Sequence, residues 1–111
     1  MSRAPAEETR VVLVTAPDLA TARALARGLV ERRLAACVNL VPGLESVYRW
    51  RGALESASEV LLVVKTAAAR LAELERFLDE EHPYELPELV ALAPEHVSAA
   101  YAGWLLGEVA P

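Results

Sequence analysis

Apolar and polar positions along the chain fall into strand-like and helix-like rhythms. Residues 10–15 (RVVLVT) are a short Val-rich run that reads as a buried strand. Ala16-Pro17-Asp18 interrupts it and puts a proline and an aspartate where a helix starts. Ala22, Leu25, Ala26, Leu29 and Val30 then recur at helical spacing, with Arg23, Arg27 and Glu31 off the stripe. Residues 36–50 (ACVNLVPGLESVYRW) predict a second strand, broken by Pro42-Gly43, where a bulge or bend is expected. Arg51-Gly52 predicts a turn, and a third strand returns over 54–66, most apolar at Val60–Val64. Thr66 is placed to cap a second helix over 67–81, with Leu71, Leu74 and Leu78 on one face beside Phe77. Residues 82–88 (HPYELPE) carry two prolines and cannot be helical. A short strand is expected over 89–93. Ser98 is expected to cap a last helix with Tyr101, Trp104 and Leu105 on its apolar side.

The element order is β-α-β-β-α-β with one further helix. It predicts an α+β, ferredoxin-like sandwich with an extended β-hairpin and an extra C-terminal helix. Residues 1–9 read as a flexible polar tail and 10–109 as a single domain. Both crossover helices of this fold lie on one sheet face. The run Val60–Val64 does not alternate, so both of its faces are expected to be covered. One short terminal helix is too small for that. The hairpin arms also exceed the usual strand of about 5–6 residues and carry Tyr48, Trp50 and Leu54. Such arms invite strand pairing. Both features predict a homo-oligomer.

Composition narrows the function. A length of 111 residues suits one domain, and 54% apolar residues is high for so small a body. No apolar run approaches the roughly 18 residues of a membrane span. The first residues lack the apolar stretch of a signal peptide. The single cysteine, Cys37, leaves no intrachain disulfide and no CxxC. A cytoplasmic protein with no membrane partner is expected. A net charge of −5 and the absence of aromatics in Val60–Val64 argue against nucleic acid as a partner. No G-x-S-x-G, H-E-x-x-H or Gly-rich phosphate loop is present, so no catalytic activity is expected.

Several segments together resemble the CutA divalent-cation-tolerance proteins. They are Val11 with Leu13-Val14-Thr15-Ala16-Pro17-Asp18, Leu34-Ala35-Ala36-Cys37-Val38-Asn39, Ser46-Val47-Tyr48-Arg49-Trp50-Arg51-Gly52, Glu59, Lys65-Thr66, His82-Pro83-Tyr84-Glu85-Leu86-Pro87-Glu88, Tyr101 and Trp104. The resemblance covers about residues 10–108. It implies a ferredoxin-like subunit, a tight homotrimer with hairpins paired between subunits, and similarity to PII-like signalling trimers. It also implies an association with tolerance to copper and other divalent metals, without an established catalytic activity. Some family members bind copper through a cysteine in the first strand and two adjacent histidines before Pro-Tyr. Here those positions hold Val14 and Glu81, and only His82 remains. A harder His/carboxylate site for Cu²⁺ or Zn²⁺ is what the resemblance leaves.

Two candidate sites follow. His82 with Glu81 is the metal candidate, since imidazole suits copper and zinc. A solvated acidic helix end closed by His-Pro is the plainer reading. The second set is Asn39, Tyr48, Trp50, Lys65, Tyr84 and Glu88. Lys65 is the only lysine and Asn39 the only asparagine, and Tyr48 and Trp50 share a strand face. These residues would line a cleft between subunits for a small anionic or aromatic ligand, with no organic cofactor implied. Their alternative role is packing at the oligomer interface. Cys37 is expected as a small buried hydrophobe and His96 as a surface loop residue.

Overall fold

Four antiparallel strands in the order β2-β3-β1-β4 carry two helices on one face. The structure is a computed structural model that describes the backbone from Pro5 to Pro111 and the side chains from Glu7 onward. The elements are α1 (Pro5–Glu8), β1 (Thr9–Ala16), α2 (Leu19–Glu31), β2 (Cys37–Trp50), β3 (Ala53–Ala67), α3 (Leu71–Glu81), β4 (Val90–Leu92) and α4 (Ala99–Glu108). This is the α+β, ferredoxin-like arrangement. Residues 1–4 of the tail expected over 1–9 lie outside the described residues. Residues 5–8 make one helical turn, and Thr9 is already a buried residue of β1.

The core follows from strand register. Val12 faces Val64, Val14 faces Leu62 and Ala16 faces Val60. Alternation puts all six on one sheet face. There they meet Ala22, Leu25 and Leu29 of α2 and Leu74, Phe77 and Leu78 of α3. Val30, expected on the α2 stripe, is exposed, because the stripe is only as wide as the sheet beneath it. Asp18 caps α2 by accepting the Thr21 backbone N–H at 2.7 Å. At Gly28 the two helices come so close that a Cβ would lie 2.7 Å from the Phe77 ring.

The other sheet face carries Val11, Leu13, Leu61 and Val63, all only half-buried. α4 covers one end of it through Leu105 and Val109 against Ala67, with Ala36 and Leu106 beside them. Tyr101 and Trp104, expected on the apolar side of that helix, are instead 40% and 47% exposed. Ala102 and Leu105 take the buried positions, so α4 presents its aromatics outward.

The hairpin overhangs this body, and the molecule measures 49 × 26 × 23 Å. Arg51 and Gly52 turn it with φ of 51° and 82°, as a two-residue turn of the primed type requires. The register slips between Val41 and Leu44, so Pro42 and Gly43 oppose one residue of β3. That is the bulge expected at this dipeptide. Thr66 does not cap a helix. It is a buried residue of β3 whose hydroxyl donates to the Leu34 carbonyl at 2.6 Å. A 3₁₀ turn over Ala68–Arg70 comes between it and α3.

Candidate functional site

His82 ends α3 and turns inward, only 7% exposed. Its Nδ1 accepts the Tyr84 backbone N–H at 3.0 Å, so its Nε2–H donates to the Thr15 carbonyl at 2.8 Å. Both ring nitrogens are occupied, and the ring rests 4.7 Å from that of Tyr84. Glu81 lies elsewhere, exposed and 4.0 Å from Arg32, whose guanidinium covers the Phe77 ring at 4.8 Å. The pair expected to hold a metal is thus divided between a buried strut and the surface. The reason is Pro83: it ends the helix at His82 and forces extended backbone there, which swings the imidazole under the sheet edge. Among the described residues no group of three or more His, Cys, Asp or Glu is placed to hold a metal ion.

The second set comes together in part. A cleft of about 880 Å³ opens between the hairpin and residues 83–90. Tyr48 and Trp50 line it from β2, Tyr84 and Glu88 from the opposite wall, with Thr15 and Glu59 between them. Register explains the gathering. Glu59, Thr15, Tyr48 and Trp50 all point to the sheet face that α2 and α3 leave uncovered, and the His82 strut holds the following segment across it.

Asn39 and Lys65 are not in this cleft. They lie nearer the α4 end, where the Lys65 ammonium donates to the Asn39 side-chain oxygen. The two form a cross-strand pair on the open face. The charged residues that this one chain contributes to the cleft, Glu59, Glu85 and Glu88, are all acidic.

Glu59, which the resemblance includes, was assigned to neither candidate site. It is 9% exposed, and its Oε2 accepts the Tyr84 hydroxyl at 2.7 Å. Burial, then donation to Glu59, pushes the Tyr84 phenol well above its ordinary range, so it stays protonated. Burial first and the Glu59 charge second also raise the Glu88 carboxyl. The available signal was the position of Glu59 at the edge of an apolar run, where a lone carboxylate is out of pattern. Glu85, also in the lining, pairs with Arg51 at 2.8 Å. Cys37, expected to be buried, is only half-buried because it begins the edge strand β2, and His96 is exposed, as expected of a loop residue.

Comparison with known proteins agrees with this architecture. Residues 10–108 match the family described as CutA1 divalent ion tolerance protein. A divalent-cation tolerance protein CutA of Thermus thermophilus is 47% identical over 95 residues, covering 86% of this chain and 92% of that one. A CutA homolog of Xenopus laevis is 43% identical over 98 residues. The match covers 88% of this chain but only 64% of the longer Xenopus protein. The solved structure of a Thermus thermophilus divalent cation tolerance protein superposes with a TM-score of 0.90 at 44% identity, covering 92% of this chain and 99% of that one.

Proposed function

The chain belongs to the CutA1 divalent ion tolerance family, and we propose that it works as a homotrimeric ligand-binding protein rather than an enzyme. In this reading the cleft beside the hairpin takes up a small molecule, in the manner of PII-like sensors, and divalent-cation tolerance is served through that binding. The observation that carries it is the cleft itself, with aromatic rings on two facing walls and a buried carboxylate between them. A concave site with a few convergent polar groups is the ordinary form of a small-molecule site.

The trimer is supported by the uncovered sheet face and the overhanging hairpin. Val11, Leu13, Leu61 and Val63 are too apolar a strip for water alone, and Val47 and Leu54 are 65% and 74% exposed on the arms. Copies of this chain that close over the sheet and pair with the arms would bury them. A cytoplasmic location goes with the proposal, on the strength of a lone thiol at Cys37. Among the described residues no helix is long and apolar enough to cross a membrane.

Direct capture of Cu²⁺ or Zn²⁺ by His82 and Glu81 is the weaker reading, because the imidazole has no free nitrogen to offer. A thermal-shift panel of metabolites, nucleotides and divalent ions tests the proposal. Ligands that raise the melting temperature of the wild type but not of Trp50→Ala support it. No shift across the panel counts against it.

A further inference from the structure

We infer that the cleft is selective for a small organic cation, an ammonium group carried on an apolar body. This rests on the ligand-binding reading above and gives its ligand a chemical class. Three observations converge on it.

The first is charge. Glu59 is almost fully buried, accepts one hydrogen bond from Tyr84, and forms no ion pair with any described Lys, Arg or His. A carboxylate in that position is costly unless a cation or a proton joins it. Glu88 stands in the same field, where burial and the Glu59 charge already disfavour a second negative group. The cation at the rim, Arg51, is committed to Glu85. The lining that each chain contributes therefore keeps an unbalanced negative charge, which repels an anion and attracts a cation.

The second is the nature of the walls. Tyr48, Trp50 and Tyr84 supply aromatic rings on both sides. Ring faces attract cations, most of all those that shed water easily, as alkylated ammonium groups do. Arg51 shows that Trp50 can act this way, since its guanidinium lies 5.4 Å from the centre of that ring.

The third is coordination. A bare divalent ion calls for several oxygen or nitrogen ligands converging on one point. No described group of three or more such side chains does so here. An organic cation needs only one carboxylate and apolar contact, and the cleft has both. Its volume of about 880 Å³ leaves room for the apolar body.

Choline is a suitable probe. Its partner is the uncharged isostere in which a tert-butyl group replaces the trimethylammonium. Binding is followed by tryptophan fluorescence in a Trp104→Phe background, so that Trp50 reports alone, with chloride salt held constant. Choline should bind on the order of tenfold tighter than the isostere. Glu59→Gln keeps an acceptor for the Tyr84 hydroxyl and removes the charge. It should weaken choline by on the order of tenfold and leave the isostere unchanged. If Glu59→Gln does not fold, Glu88→Gln, an exposed position, should weaken choline by roughly threefold.

Equal affinity for choline and its isostere would overturn the cation assignment while leaving the cleft as a ligand site. Silence of Trp50 toward both, and toward the metabolite panel, would remove the ligand-binding reading as well. Binding of Zn²⁺ that needs Glu59, without binding of choline, would make this a metal site and overturn the inference. So would failure of choline together with a drop in oligomer mass for Glu59→Gln, which would place a cationic side chain of a second copy in the cleft.

Discussion

His82 is held from both sides of its ring, by the Thr15 carbonyl and the Tyr84 backbone N–H. Removing it leaves the buried Thr15 carbonyl and the partly buried Tyr84 N–H without this partner, and a void where the ring stood. His82→Ala should cost about 2–4 kcal/mol in urea unfolding. The same variant should bind Cu²⁺ and Zn²⁺ with unchanged affinity in calorimetric titration, and a loss of affinity would restore His82 as a ligand. Asp18 offers a second test at this scale. The Thr21 backbone N–H, and then the Thr21 hydroxyl, hold its carboxyl below the ordinary value. A depressed carboxyl stabilises the fold above its unfolded pKa, and that contribution fades as pH falls through the folded value. Asp18→Ala should melt earlier than wild type at pH 7, with a gap that narrows as the pH is taken below about 4. Asp18→Asn, which retains an acceptor, should stay close to wild type at neutral pH. Melts across that range check both. The cap was legible in the sequence because capping is local, within three residues. The fate of His82 was not, because its partner Thr15 is 67 residues away.

Between elements, the contact of α2 with α3 turns on one missing side chain. Gly28 sits within the last turn of α2, where alanine would ordinarily favour the helix by up to about 1 kcal/mol. Here a Cβ would lie 2.7 Å from the edge of Phe77, a buried ring with Arg32 stacked on it. The clash should outweigh propensity, so Gly28→Ala is expected to destabilise by roughly 1–3 kcal/mol. Chemical denaturation of the variant decides it, and a more stable protein would show that the helices can part. Turn chemistry was readable at this scale. Arg51-Gly52 and Pro42-Gly43 both did what their residues predict. Thr66 was not readable, because a hydroxyl before a helical stripe fits two roles. The Leu34 carbonyl took it into the sheet, and a non-local partner of that kind leaves no mark in local sequence.

For the whole molecule, the apolar surplus in the composition has two destinations. Part of it is the core between the sheet and two helices. The rest lies on the open sheet face, on the hairpin arms and on α4, where Tyr101 and Trp104 stack 5.6 Å apart in the open. If copies of the chain cover that face, sedimentation equilibrium should return three times 12.0 kDa. Val63→Glu, placing a charge at its centre, should give a folded monomer with the circular dichroism of the wild type. A wild-type monomer would leave the open face unexplained by self-association.

Helix stripes, turn residues and strand lengths are local properties. They pointed to the order of the strands and main helices, the ferredoxin-like class and the long hairpin without any coordinates. The combined resemblance of several segments, 34–39 and 82–88 above all, added the family. Tertiary structure alone decided which rare residues meet. Asn39 and Lys65 pair with each other away from the cleft, and Glu59, part of the family resemblance but of neither candidate site, becomes its buried charge. The physical reason is register. Which face a strand residue shares, and with whom, depends on pairings across the sheet. The bulge at Pro42-Gly43 shifts those pairings by one residue, between Val41 and Leu44.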